Sequence, residues 1–492
     1  MGLIQRDAFR TMLISYFGMV LGYLNKGVLF IIILSTEQIG LVNLLASVGF
    51  LYAQLSSLGA LNTSWKFFSF FRNSERDNYG FLKLMLTIVA VGSLLALILT
   101  FVLERFITEY YQDKSSLFVE YYYWIIPIGT ANILFLLFET HLRAMFKNVL
   151  SVFVNEIGLR LIVFVLLGAL YYDFLSFPEF LVINCLVYFI PALILFIYLI
   201  YLKEIKSFRV KIQVPKRFRK IVVKYGLYSY ANSLGTVTVT TLDATMIASM
   251  VGLSGTGVYT TIMYLTSALQ VPYRALFRIS SPFVPVYWKE RKMKEMATLY
   301  KDVSSVSLIM GSAFFLLVWL NRVEIFSLFP SEFQSGIWVF LFLILGKLFD
   351  MYMGINSTIL LTSKKYRIDM LFTIILLLLV FTLNYWLIPI YGIIGAAIST
   401  MVATVVYNLL RMLYVWWKYK IHPFRLNHLI IILLIAATLV VSECLPTFSD
   451  NIFITVTNQT LEVLFLFILP VVVLRVEPQI NGYLNKLRKR KS

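Results

Sequence analysis

Charge is scarce in this 492-residue chain: 14% of its residues are charged and 60% are apolar, against about 25% charged in soluble domains. A water-covered globular domain is therefore excluded as the main fold class. Cysteine and histidine are scarcer still. Cys185 and Cys444 each lie inside or at the edge of an apolar run, which offers neither a disulfide framework nor a thiolate cluster. His141, His422 and His428 share no ligand spacing, so no metal site is expected. P-loop, Rossmann glycines and a Gly-x-Ser-x-Gly elbow are all missing, which disfavours an ATP-driven pump on this chain. Acidic residues are few beside basic ones, 25 against 43, for a formal charge of +18. A nucleic-acid partner would need that charge gathered on a soluble module; here it is scattered over short loops, so none is expected.

What is present is a series of apolar runs of about 20 residues, the length a helix rising ~1.5 Å per residue needs to cross a ~30 Å hydrocarbon core. Runs such as IIILLIAATLVV and LFTIILLLLVFTL do not alternate, which argues against the strands of an outer-membrane barrel. The opening MGLIQRDAFR has no small-residue cleavage site before its apolar run and reads as part of a retained first helix. The expected fold class is an all-α integral membrane protein of about fourteen transmembrane helices. Spans are expected near 11 to 34, 39 to 61, 81 to 103, 121 to 141, 151 to 170, 180 to 202, 222 to 249, 257 to 283, 303 to 320, 337 to 361, 370 to 388, 392 to 415, 429 to 446 and 459 to 474.

Lysine and arginine are enriched on short cytoplasmic loops. With the N-terminus inside, the outer loops hold only Arg105, Lys114 and Arg322, and five basic residues lie deeper within spans; the other 35, those near inner span ends included, are cytoplasmic. Both termini are thus expected in the cytoplasm. The longest inner segment, KEIKSFRVKIQVPKRFRKIVVK, has nine basic residues and should be drawn to anionic phospholipids at ~1 kcal/mol per basic residue near the surface. The expected organisation is an N-lobe at 1–210 (spans 1 to 6), a basic cytoplasmic linker at 211–221, a C-lobe at 222–420 (spans 7 to 12), and spans 13 and 14 with a basic tail at 421–492.

Repeated bundles are common in transporters. Laying Gly40 of EQIGLVN over Gly257 of SGTGVYT superposes spans one and two on spans seven and eight, and lays Lys26 over Asp243. The stretch LDATMIASMVGLSGTGVYTTIMYL (242 to 265) and the motif IPIYGIIGAAIST (388 to 400) resemble the multidrug/oligosaccharidyl-lipid/polysaccharide exporter superfamily, in its bacterial polysaccharide flippase branch. The first is similar to that family's Asp-containing seventh span and Gly-x-Tyr turn. The second is similar to its Tyr-Gly-x-x-Gly-Ala-Ala lead into span twelve, where small residues allow close helix packing. The resemblance implies two six-helix lobes around a central cavity, two further C-terminal helices, and alternating-access translocation of an isoprenyl (undecaprenyl) diphosphate-linked oligosaccharide across the bacterial inner membrane. It further implies a place in surface polysaccharide biosynthesis, such as that of lipopolysaccharide O-antigen, beside other polysaccharide-assembly proteins. The arginine pattern of peptidoglycan-precursor flippases is not found.

Ionisable residues at membrane depth cost ~2.5 to 3.5 kcal/mol on insertion scales and point to a cavity, a partner or an ion path. Arg274 and Arg278, four apart on one helix face within QVPYRALFRISSPFVP, suit bidentate bonding to phosphate; Pro272, Pro282 and Pro285 should interrupt their helix. Lys26, Arg160 and Lys347 are further candidates for the diphosphate. Asp243, Asp350 and Glu156 are candidates for ion coupling or pairing between lobes. The plainer alternatives are self-pairing of Glu156 with Arg160 and of Lys347 with Asp350 at helical spacing, and snorkelling or an Asp243 pair for Lys26. Glu139, His141 and Arg143 lie at the inner end of span four, where water is in reach. No cofactor is expected beyond a coupling proton or sodium ion. The expected activity is a flippase, not an enzyme, with a cation-coupled multidrug or metabolite exporter on the same scaffold as the first alternative. A glycan polymerase or ligase is the second; the outer loops, about 16 residues at most, leave little room for its chemistry.

Overall fold

Helices are the form in which a chain satisfies its own backbone in hydrocarbon, and every regular element is a helix among the described residues. The computed structural model describes residues 3–72, 78–204, 216–365, 367–445 and 451–474. Twelve helices in these segments are long and apolar enough to cross a bilayer: Arg10–Ile33, Thr36–Ser56, Asn78–Tyr111, Tyr122–Ala144, Val149–Tyr171, Phe177–Tyr201, Met293–Leu320, Ser331–Tyr352, Arg367–Tyr391, Ile393–Tyr419, Asn427–Cys444 and Ile452–Val473. Large apolar side chains such as Val102, Phe106 and Leu433 stand about two-thirds exposed on their outer faces, an arrangement suited to a lipid solvent rather than to water. The protein is a multi-pass integral membrane protein.

The spans expected near 222 to 249 and 257 to 283 are not among the twelve. Both regions are helical, as Lys216–Met250, Leu253–Thr266 and Gln270–Ser280, but their composition is polar. Lys216–Met250 carries Thr236, Thr238, Thr240, Thr241 and Thr245 besides Lys224 and Asp243; the stretch after it carries Arg274 and Arg278. The threonines are satisfied by their own helix: Thr236 donates to Asn232 O, Thr238 to Leu234 O and Thr245 to Thr241 O. Back-bonding of this kind lets a polar helix keep no open hydroxyl donor.

The chain divides into two compact units, Met1–Thr261 and Ile262–Ser492. The basic linker at 211–221 lies outside the described residues up to 215, and the basic tail beyond 474 lies outside them entirely. Helix Lys216–Met250 packs on Thr36–Ser56 and Ala60–Phe71, within the first unit. That unit has a core of Phe68, Phe81, Met85, Ile133 and Leu137.

In the second unit Tyr300, Val303, Ile355, Ile359, Leu360 and Val415 form the main core. Its helix breaks at 281–282, between Gln270–Ser280 and Phe283–Glu290. Pro272 follows the 3-10 turn Ser267–Leu269 that separates Leu253–Thr266 from Gln270–Ser280, and Pro282 sits at the break at 281–282; Pro285, third in Phe283–Glu290, costs no intrahelical N–H bond there. The IPIYGIIGAAIST motif makes the turn into Ile393–Tyr419. Gly392 has φ +58°, a value that glycine adopts without cost. A Cβ on Gly395 would fall 2.2 Å from Leu387 O, and Ala396 and Ala397 are fully buried, so small residues here do permit close packing.

Candidate functional site

In the first unit the ionisable side chains gather where two neighbouring helices widen into π turns, at Asn25–Leu29 and Val154–Gly158, a local form that recurs at functional sites. Arg160 pairs with Glu156 at 2.7 Å and donates to Gly18 O, while Asn25 donates to Arg160 O at 2.7 Å. The pairing expected from the four-residue spacing is therefore present, and it fastens the fifth span to the first. Lys26, half-buried one residue on from Asn25, donates to Asn43 Oδ1 at 3.0 Å, and Asn43 donates to Thr260 Oγ1 at 3.0 Å. Arg160 is close enough to act on Lys26 as a like charge. Asp243 is buried and accepts a 2.5 Å bond from the Tyr259 hydroxyl. Glu139, His141 and Arg143 have structural roles: Arg143 lies 3.7 Å from Glu139, and buried His141 lies 3.4 Å from Glu204, which also accepts from Asn78 at 3.0 Å.

The second unit holds Arg274 and Arg278 on one face of Gln270–Ser280. Both are exposed. Among the described residues neither has a hydrogen-bond or ion-pair partner, so two guanidinium forks are left open about one helical turn apart. Lys347 lies near enough to feel the charge of Arg274. It does not pair with Asp350, contrary to the expectation from their spacing, and no ion pair joins the two among the described residues. The reason is tertiary: Lys347 Nζ donates to Met263 O at 2.9 Å and to Thr266 Oγ1 at 2.7 Å, while Asp350 Oδ1 accepts from Asn408 at 2.9 Å.

A group to which sequence reasoning assigns no role stands beside them. Arg411, 9% exposed, bonds Asp369, 3% exposed, through Nε at 2.7 Å and Nη2 at 2.6 Å, and its guanidinium lies 3.9 Å from the centroid of the Tyr407 ring. Tyr407 and Arg411 are one helical turn apart, which is the only signal the sequence offers; Asp369 is on a different helix and gives none. Arg411 and Lys347 both act electrostatically on Asp350. Chemically, open guanidinium forks at the spacing of Arg274 and Arg278 are suited to an anion of several oxygens.

No protein-family model matches the chain. Its structure is similar to that of the Lipid II flippase MurJ in an inward closed conformation, at 15% identity over 94% of this chain and 98% of that one, with a TM-score of 0.73. It is also similar to an inward-facing multidrug resistance MATE family transporter of the MOP superfamily, at 14% identity over 82% of this chain and 94% of that one, with a TM-score of 0.62. The chain has the fold of MOP-superfamily transporters. At these identities the MOP fold, not a substrate, is what is shared. In sequence it is similar to a capsular polysaccharide biosynthesis protein, CapF of Staphylococcus aureus, at 22% identity over 188 residues; the match spans 38% of this chain and 47% of that protein. Placed on the MOP fold, the polar helices Lys216–Met250 and Gln270–Ser280 are the two that carry Asp243 and the Arg274/Arg278 pair.

Proposed function

We propose that this chain is a MOP-superfamily flippase that moves an isoprenyl diphosphate-linked oligosaccharide across the bacterial inner membrane for surface polysaccharide synthesis. The observation that carries the reading is the Arg274/Arg278 pair, two guanidinium groups on one face without partners among the described residues. A diphosphate offers several charged oxygens in a compact group, and paired arginines bind such groups bidentately. The fold shared with the Lipid II flippase and the partial likeness to a capsular polysaccharide protein support a lipid-linked glycan as cargo. The capsular relative favours a capsule-type polymer over an O-antigen.

In this reading Lys216–Met250 and the helical stretch 253–280 complete a fourteen-span topology with both termini in the cytoplasm, because spans that face water or protein need not be apolar. Lys26 in the first unit and Lys347 in the second add positive charge, and Asp243 or Asp350 takes up a coupling proton or sodium ion. The glycan and diphosphate pass through protein while the isoprenyl tail stays in lipid, and no bond is made or broken. The test is a leaflet assay. Liposomes holding the purified full-length protein are given a short lipid-diphosphate glycan in one leaflet, and its appearance in the other is followed. Movement of the glycan lipid supports the reading. No movement, with dissipation of a cationic drug gradient by the same vesicles, replaces it with a multidrug exporter.

A further inference from the structure

A cavity of about 570 Å³ lies in the first unit, lined by Leu86, Leu134, Phe138, Phe189, Ala192 and Phe196. No charged side chain is among its lining residues, and it is formed by three membrane-spanning helices, Asn78–Tyr111, Tyr122–Ala144 and Phe177–Tyr201. Its depth can be read along those helices. Leu86, Phe138 and Phe196 lie five to eight residues from the helix ends at Asn78, Ala144 and Tyr201, and Leu134 and Phe189 lie ten and twelve residues from theirs. At ~1.5 Å per residue the cavity therefore runs from roughly 8 to 18 Å below that end, about the depth of one leaflet of a ~30 Å core.

Toward that end the wall continues through Leu82, Leu142, Leu199 and Leu202, which belong to the same apolar cluster as Phe138 and Ala192. Beyond these leucines the chain is basic: exposed Lys147 bonds through its N–H to Leu142 O, and exposed Lys203 follows Leu202. Lys147 is also close enough to act on Glu204, next in sequence to Lys203, so the two lysines share one corner.

We infer that this cavity is a binding site for an anionic glycerophospholipid of the same leaflet, one acyl chain seated between Leu134, Phe138, Ala192 and Phe196 and the phosphate headgroup at Lys147 and Lys203. An empty apolar cavity of this size facing lipid would leave its walls without dispersion partners, and hydrocarbon is the solvent available there. The lysines select the headgroup, since each basic residue near the surface attracts anionic lipid. The inference requires only that these helices cross the bilayer; it is independent of the flippase reading.

Native mass spectrometry of the full-length protein, released from vesicles of phosphatidylglycerol and phosphatidylethanolamine, tests it. The wild type should retain one phosphatidylglycerol through delipidation. Ala192→Phe, which fills the cavity, should lower that retention by about tenfold or more. Lys147→Gln and Lys203→Gln should keep a bound lipid but lose the preference for phosphatidylglycerol by about fivefold each, the equivalent of ~1 kcal/mol. Should Ala192→Phe not fold, Leu193→Trp, a change at an exposed wall residue, replaces it. Equal retention in the filled and wild-type proteins, or no headgroup preference in the wild type, overturns the site. Displacement of phosphatidylglycerol by a polyprenyl phosphate at equal concentration overturns the assigned occupant.

Discussion

Gly40 and Gly257 face each other across a helix crossing: a Cβ on Gly40 would come within 3.1 Å of Gly257 N and 2.0 Å of Leu253 O, and a Cβ on Gly257 within 3.0 Å of Gly40 N and 1.9 Å of Thr36 O. These are the two glycines that the internal offset superposes, and residues equivalent under the offset, Asn43 and Thr260, bond to each other at 3.0 Å. Repeat-related positions that touch lie on a local two-fold, and only glycine lets the backbones meet there.

The first prediction concerns that crossing. Gly40→Ala and Gly257→Ala each place a methyl group against backbone atoms that cannot swing away, so each should destabilise the protein by about 1 to 3 kcal/mol. Thermal melts of the purified variants in detergent check this. Gly168, where an added Cβ would meet nothing within 4 Å, supplies the control: Gly168→Ala should leave the melt unchanged or raise it slightly.

The second concerns Arg411 and Asp369. Removing one member of a buried pair strands the other, so Asp369→Asn or Arg411→Met should cost about 3 to 5 kcal/mol. Replacing both with apolar residues of similar volume, as in Asp369→Leu/Arg411→Met, should recover most of that loss. A double-mutant cycle on melting temperature measures the coupling; additive losses would show that the pair is not a unit.

The way charge is partnered separates what can be read from the sequence from what cannot. Glu156 and Arg160 are legible because both sit on one helix and the four-residue spacing fixes their neighbourhood. Lys347 and Asp350 are also helical neighbours, yet each turns to a different helix, Lys347 to Met263 and Thr266 and Asp350 to Asn408. Spacing along one helix sets which side chains can meet, and tertiary packing decides which do. Asp369 and Arg411 are 42 residues apart on two helices, and nothing in one sequence joins them. Twelve spans are legible as apolar runs. The remaining two helices carry the threonines, Asp243 and the paired arginines, so the residues that suggest a function are the ones that weaken the hydropathy signal.

The third prediction is a pH dependence. Burial pushes the Glu204 carboxyl up, but the hydrogen bond and charge of His141, the bond from Asn78 and the charge of Lys147 outweigh it, and the net shift is downward. A carboxyl held below its unfolded value contributes stability above the unfolded pKa, and that contribution is lost as pH falls through the folded value. Melting temperature should therefore fall on acidification below about pH 4.5 by more in the wild type than in Glu204→Gln. Equal slopes would contradict the assignment.

The fourth separates binding from folding at the open arginines. Because Arg274 and Arg278 are exposed and bond no described residue, Arg274→Ala and Arg278→Ala should each change stability by no more than about 0.5 kcal/mol. Insertion and melting should match the wild type, so a loss of transport cannot be attributed to misfolding.

The most direct measurement is the leaflet assay with Arg274→Ala/Arg278→Ala beside the wild type. The account predicts that the wild type moves the lipid-diphosphate glycan and that the double variant, equally well inserted, does not. Transport by the double variant at the wild-type rate would contradict the claim that these two guanidinium groups hold the diphosphate.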